Sequence, residues 1–336
     1  MVSTTEILQP YLGDRSQRTF AERHYQLAKY LLLTTGTPAE WGSSPDTVPT
    51  SFGLALANSL HPYELDIDKV TRLNNESASS LTYPQLFASS GVYDVALRIE
   101  INTVFDLSTT LVSTLEEENE TIYDFELYAE RAGLPISAQL KCYIIIRDYI
   151  QNLTSSTSST GTGSLQVSIP NSNNGTALLV AFAEIQPEIV TFNVHKFGHK
   201  SSTPEPDGTF MRLNPLDYML AASLLYPDEE VLKAQIFTFN YSFNLTQVSG
   251  SNQTAEFEIP QLIDSSPMIL VIAGFNGSSS FAEWVSYPQV PLEIGADLGE
   301  SDVLSFPYIV SINNVLYDLT IESGGMIIDN IQKRTD

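Results

Sequence analysis

Hydrophobic and polar positions divide the chain into a short helical start and a long run of strand-like alternation. Over residues 16–38, Phe20, His24, Leu27, Ala28 and Leu31 recur at helical spacing and define one face. Thr19 with Glu22 offers a capping box, Asp14 and Ser16 offer alternative caps, and Gly36 with Pro38 gives the stop. Residues 37–55 are rich in Pro, Gly and Ser and predict loop. Residues 63–74, YELDIDKVTRLN, predict a short helix, and YPQLFASSG at 83–91 predicts another ending at Gly91. From VALRIEI at 95–101 onward the period becomes two, and strand patterns continue to the C-terminus.

The strand-rich part contains an internal repeat. YIQNLT, SLQVSIP and TALLVAFAE, starting at 149, 164 and 176, recur as YSFNLT, TAEFEIP and PMILVIAGF, starting at 241, 254 and 267. Asn152 to Asn244, Pro170 to Pro260 and Val180 to Val271 are separated by 92, 90 and 91 residues. In SLQVSIP, Leu165, Val167 and Ile169 alternate with Gln166 and Ser168; in TAEFEIP, Ala255, Phe257 and Ile259 alternate with Glu256 and Glu258. Such strands belong to antiparallel sheets with one wet face. The continuously apolar TALLVAF and MILVIAG fit central strands packed on a second sheet. LTSSTSSTGTG and TQVSGSNQ read as the turn clusters between them. A unit of about 90 residues with short strands and frequent turns predicts an immunoglobulin-like sandwich, without the Cys-Trp-Cys hallmark of antibody domains. A final hairpin, YIVSINNVLYDLTIES at 308–323, turns at Asn313-Asn314, which tolerate the positive φ of a type I′ turn.

The expected fold is therefore mainly β. An N-terminal helix and small α+β region (1–92) precede two tandem immunoglobulin-like sandwiches, at 93–204 and 205–336. The second segment includes the hairpin, whose partner domain the pattern does not name.

Composition narrows the setting. The 336 residues carry 40 acids against 16 Lys and Arg, for a formal charge of −24, and charged residues are 17% of the chain. A typical share is roughly 25%, so the balance reflects missing bases. That excludes a nucleic-acid binder and docking on an anionic leaflet. Residues 1–36 are near neutral, so the acidity lies with the strand-rich part. Cys142, the single cysteine, forms no intrachain disulfide and reads as a small buried hydrophobe. Eight Asn-x-Ser/Thr sequons stand at Asn75, Asn119, Asn152, Asn174, Asn240, Asn244, Asn252 and Asn276, more than composition predicts. With scarce Lys they point to an extracellular glycoprotein. No apolar run reaches the roughly 18 residues of a membrane span.

YLLLTTGTPAEWG at 30–42, FGLALA at 52–57 and YELDIDKVTRL at 63–73 occur in that order. In this combination the N-terminal quarter, about residues 20–75, resembles archaeal pilin-like (type IV pilin-related) secreted surface proteins. The resemblance implies an extracellular or cell-surface location, with other surface or pilus proteins as partners, copies of itself included. It also implies an upstream apolar anchoring helix. This chain departs from that pattern, so membrane contact is expected only through an anchor outside it. The resemblance transfers no catalytic motif. Read locally, Trp41 is a packing anchor for its loop, Gly42 and Gly53 permit tight backbone paths, and Asp66, Asp68 and Lys69 form a solvated face.

Motifs for chemistry are sparse. His195 and His199 have the four-residue spacing of helical zinc ligands but follow a strand-like EIVTFNV and lack an HExxH glutamate. His24 reads as a packing residue. There is no Gly-x-Ser-x-Gly elbow, and GTGS at 161–164 sits in a hairpin loop rather than ahead of a helix. Glu116–Glu118 and Glu120 read as a solvated turn. Asp228-Glu229-Glu230 and ADLGESD at 296–302 are candidate calcium ligands without EF-hand spacing. No catalytic, cofactor or metal residue is assigned. The expected function is a non-enzymatic structural or adhesive protein of a cell-surface or pilus-like assembly. A secreted carbohydrate-binding module or glycosidase is the alternative, and a donor-strand filament subunit the third reading.

Overall fold

The structure, a computed structural model, describes residues 21–90, 95–201, 204, 206–226, 230–251, 253–261, 264–275, 280–298 and 303–325. Strand accounts for 57% and helix for 9%, so the mainly β class expected from the alternation holds.

Helix α1 covers 21–33 of the described residues; the expected caps Asp14, Ser16 and Thr19, and Phe20, lie outside them. His24, Ala28, Leu31 and Leu32 form its buried face. The following loop turns back along the helix: Leu54 N donates to Leu31 O at 2.8 Å and Ala55 N to Thr34 O at 2.9 Å. These bonds take up carbonyls that no further helical turn would satisfy. The close approach explains Gly53, where a Cβ would lie 2.4 Å from Thr34 O. Trp41 is fully buried and donates from Nε1 to Gly53 O at 3.1 Å, the packing anchor expected.

The helix expected over 63–74 is shorter. Glu64–Leu65 form strand β1, and α2 spans Ile67–Thr71 with Asp66 as its N-cap, accepting from Asp68 N and Lys69 N. Helix α3 (Tyr83–Ser90) matches the second expected helix, with its proposed terminator Gly91 outside the described residues. Strand β2 is Val95–Thr103, burying Val95, Leu97, Ile99 and Ile101.

The first sandwich comprises β3 (Asp106–Glu116), β4 (Glu120–Arg131), the short β5 (Leu134–Pro135), β6 (Gln139–Ile146), β7 (Tyr149–Ser156), β8 (Thr162–Pro170), β9 (Gly175–Gln186) and β10 (Ile189–His199). β4 pairs with β3, β5 and β8 to make one sheet, and the other runs β10-β9-β6-β7. The second sandwich comprises β11 (Met211–Leu216), β12 (Met219–Leu224), β13 (Glu230–Phe237), β14 (Ser242–Asn244), β15 (Thr246–Gly250), β16 (Thr254–Glu258), β17 (Met268–Phe275) and β18 (Ser280–Tyr287). Its sheets run β11-β12-β16-β15 and β14-β13-β17-β18. The order β3-β4-β8 corresponds to β11-β12-β16 and β10-β9-β6-β7 to β18-β17-β13-β14, with β5 and β15 the strands that have no counterpart, so the sequence repeat is a repeat of immunoglobulin-like topology. TQVSG, expected as turn, is instead the edge strand β15 pairing with β16.

The apolar runs are buried on both sides. In β9, Leu179 and Ala181 join the core of the first sandwich, while Leu178, Val180 and Phe182 point away from it. In β17, Met268, Leu270 and Ile272 fill the second sandwich, while Ile269, Val271 and Ala273 point away. The two outward sets meet, with Tyr143, Ile145 and Phe237, in one cluster. The two sandwiches are thus stacked sheet to sheet as four layers.

The chain then returns to its beginning. β19 (Leu292–Gly295), β20 (Leu304–Ile312) and β21 (Val315–Gly325) complete a five-stranded sheet of order β1-β20-β21-β2-β19. Asn313 and Asn314 take φ of 49° and 63°, the turn expected. Helix α1 lies on this sheet, with His24 Nδ1 2.7 Å from Ser323 Oγ. The sequence grouped β2 with the first sandwich and left the hairpin's partner open; the two pair with each other. Half-buried alternation fits any such sheet, and nothing local in β2 marks a partner more than two hundred residues away. The sandwiches are an insertion into a domain built from both ends of the described chain.

Candidate functional site

One buried polar joint ties this terminal domain to the second sandwich, and another ties the two sandwiches to each other. The first is α2. Asp68, Lys69 and Arg72 are buried, which corrects the solvated face expected for Asp66, Asp68 and Lys69: of these only Asp66 keeps appreciable exposure. The reason is that backbone carbonyls, not water, satisfy the charges. Arg72 donates from Nε to Ser79 O at 2.9 Å, from Nη1 to Trp41 O and Thr47 O at 2.5 and 2.8 Å, and from Nη2 to Pro45 O at 3.0 Å. Lys69 Nζ donates to Ala55 O at 2.8 Å and lies 3.7 Å from Asp66 Oδ2; burial pulls its pKa down.

Asp68 reaches across to the second sandwich. Its Oδ1 accepts from Asp217 N at 3.0 Å and from Tyr287 OH at 2.6 Å. Burial nevertheless lifts its carboxyl from 3.8 to about 6, against the pull of those two donors. A raised folded pKa means that the folded protein holds a proton the unfolded chain has released, so this group's contribution falls as pH rises from about 4 to 6. Asp68→Asn keeps an acceptor for both donors and loses the titration. Urea midpoints should show the variant level with the wild type near pH 3.5 and ahead by on the order of 3 kcal/mol at pH 7. Equal stability at both pH values would refute the assignment.

The second joint is on β18. Glu283 is buried, its Oε2 accepting from Gly208 N at 2.8 Å and its Oε1 from Phe210 N at 3.3 Å. Lys196 Nζ lies 3.4 Å from Glu283 and 2.6 Å from Asp207. Burial pushes the Glu283 carboxyl up, the two amides and Lys196 pulling against it. Beside it, Trp284 donates from Nε1 to Asp207 Oδ2 at 3.1 Å. Two adjoining cavities of about 820 and 420 Å³ open here between the terminal domain and the second sandwich. They share Asn75, Glu76, Asp207, Trp284, Val285 and Gln289 in their walls.

Sequence reasoning missed this cleft. One signal was legible: in FAEWVSY, Glu283 occupies the same strand face as Phe281, Val285 and Tyr287, an acid on an apolar stripe. Asp207 and Gln289 gave no signal, because loops bring them there.

The residues singled out in the sequence are scattered. Asn75, Asn119, Asn152, Asn174, Asn240 and Asn244 are exposed, and Asn252 and Asn276 lie outside the described residues. Only Asn75 borders the cleft. His195 and His199 are on β10, a strand rather than a helix. His199 Nδ1 is 2.8 Å from Tyr123 OH and its Nε2 3.2 Å from Pro170 O, while His195 meets Phe125 edge to face and stacks with Phe197. Burial lowers the pKa of both. Among the described residues no three His, Cys, Asp or Glu side chains gather as metal ligands. Of the candidate calcium runs, Asp228, Glu229 and 299–302 lie outside the described residues. Glu116 pairs with Lys200 at 2.8 Å, and Glu117 N closes the β3–β4 turn on Glu120 O. Cys142 is fully buried, its thiol pushed up to about 12 by that burial.

No protein family matches the chain, and neither does any curated protein. Among solved structures it is similar to a marsupial T cell receptor at 8% identity and a TM-score of 0.20, covering 54% of this chain and 94% of that one. It is also similar to HBP35 of Porphyromonas gingivalis at 9% identity and a TM-score of 0.22, covering 56% of this chain and 64% of that one. By its own strand order, the chain is a mainly β protein carrying immunoglobulin-like sandwiches.

Proposed function

We propose that this chain is a non-enzymatic structural or adhesive protein of a cell surface, related to archaeal pilin-like proteins and working in a pilus-like or other surface assembly. The observation that carries the reading is the insertion. Chain entry and exit meet in one domain whose core is continuous with that of the second sandwich, and the two sandwiches are fused to each other through an apolar interface. Such a body presents surfaces rather than closing around a substrate. The buried charges support the same reading, since Asp68, Arg72 and Glu283 are spent on joining elements. Exposed sequons and the scarcity of Lys and Arg suit an extracellular glycoprotein. Its partners are other surface or pilus proteins, copies of itself included. The alternative class, a secreted carbohydrate-binding module, draws support from one feature, the cleft beside Trp284.

Labelling intact source cells with a membrane-impermeant amine reagent tests the reading. The protein should be labelled without lysis and run above the 37.1 kDa of its sequence. Labelling only after lysis, at the sequence mass, would remove the proposal.

A further inference from the structure

The cleft beside Trp284 has the make-up of a ligand site, and we propose that it binds a neutral saccharide. This goes beyond the surface reading and stands independently of where the chain works. Its larger cavity, about 820 Å³, has the size of a small-molecule pocket. Trp284 is held in place within it: the indole N–H is fixed by Asp207, and the ring meets Phe192 edge to face at 6.3 Å. A ring fixed before binding loses little freedom on contact. Gln289 lines both cavities and is 5% exposed, and its Oε1 has no protein partner. Its backbone is meanwhile pinned, with N donating to Thr71 Oγ1 at 3.4 Å and O accepting from Asn74 Nδ2 at 3.0 Å. A buried amide oxygen left unpaired is costly, and turning the side chain toward the cavity would let a hydroxyl donor satisfy it.

The charges select against anionic ligands. Lys196 is paired with Asp207 and Glu283, and Glu293 lies 3.7 Å from Arg98. Each of these cations is shared between two carboxylates, Arg98 also pairing with Glu322, so with Glu76 and Arg212 exposed on the rim the cleft is left acidic. A phosphate finds no complementary field there. A pyranose does find its chemistry: an apolar C–H face for the indole, and vicinal hydroxyls that donate and accept for the amides, the carboxylate and the guanidinium. The sugar has two sources, a free oligosaccharide or a glycan on Asn75 at the cleft edge.

Calorimetry and fluorescence of the full chain from a non-glycosylating host test this. The probes are neutral malto-, cello-, xylo-, manno- and chito-hexasaccharides, with heparin hexasaccharide and an oligolysine as charged counterparts. Trp41 is fully buried, so a ligand-induced emission shift reports Trp284. At least one neutral sugar should bind saturably. Trp284→Ala, Glu76→Gln and Arg212→Ala should each weaken it at least about tenfold. The last two are rim changes whose urea midpoints should match the wild type. No neutral sugar binding, binding of the charged probes alone, or wild-type affinity in all three variants would overturn the proposal. Protein from the source cells separates the two origins: it accepts the same sugar if the ligand is free, and refuses it if a glycan on Asn75 already fills the cleft.

Discussion

Replacing Arg72 by alanine should destabilise the protein by about 3–5 kcal/mol, the cost of stripping the partner from a buried charged network. The guanidinium is fully buried and serves four carbonyls, those of Trp41, Pro45, Thr47 and Ser79. Those carbonyls belong to the loop after α1 and the turn after α2, segments with no ladder of their own to satisfy them. Each carbonyl left unpaired in the interior costs about 1–3 kcal/mol, offset where the loop opens to water. The cation also lies 5.7 Å from the Trp41 ring, so the ring loses a neighbour as well. Arg72→Lys keeps the charge but offers a point donor in place of a planar fork, so it should recover only part of the loss. Urea unfolding followed by Trp41 and Trp284 emission measures both variants. A change below about 1 kcal/mol for the alanine variant would mean that the loop is held by something else.

Phe182→Ala should cost a similar amount, about 3–5 kcal/mol, for a different reason. Phe182 is fully buried on the face of β9 that points away from its own sandwich, and it packs edge to face on Tyr143 at 6.2 Å. Its loss opens a cavity between the sandwiches, not within one. Destabilisation should therefore come with lost cooperativity, the two sandwiches unfolding at separate urea concentrations where the wild type unfolds them together. Val112→Ala, at a residue 64% exposed on β3, supplies the control and should stay within about 0.5 kcal/mol. If Phe182→Ala behaves like that control, the sandwiches do not share a core.

Much of the fold was legible in the sequence because it is local. Alternation in SLQVSIP and TAEFEIP gave the strands and their buried faces, and Asn313-Asn314 gave the hairpin turn. The repeat spacing gave two like sandwiches. The unbroken apolar runs of β9 and β17 pointed to packing on a second sheet, and the structure adds a second buried face from the neighbouring sandwich. What stayed hidden depends on contacts distant in sequence. The pairing of β2 with β21 spans the two sandwiches, and its register is set by the whole insertion. The burial of α2 was hidden because charged residues in a short helix look solvated until carbonyls from another loop are placed on them. The cleft was hidden for the same reason, except for Glu283 on its apolar stripe.

The central structural claim is that both ends of the described chain build one domain into which the sandwiches are inserted. Spin labels on cysteines at Glu100→Cys and Thr320→Cys test it most directly. These positions are directly opposed on β2 and β21, on the outer face, and the native Cys142 is fully buried and will not label. Opposed residues in an antiparallel pair have Cβ atoms about 5 Å apart, so the folded protein should give strong dipolar broadening that vanishes in urea. A native spectrum without broadening, matching the sum of the two singly labelled proteins, would contradict the insertion.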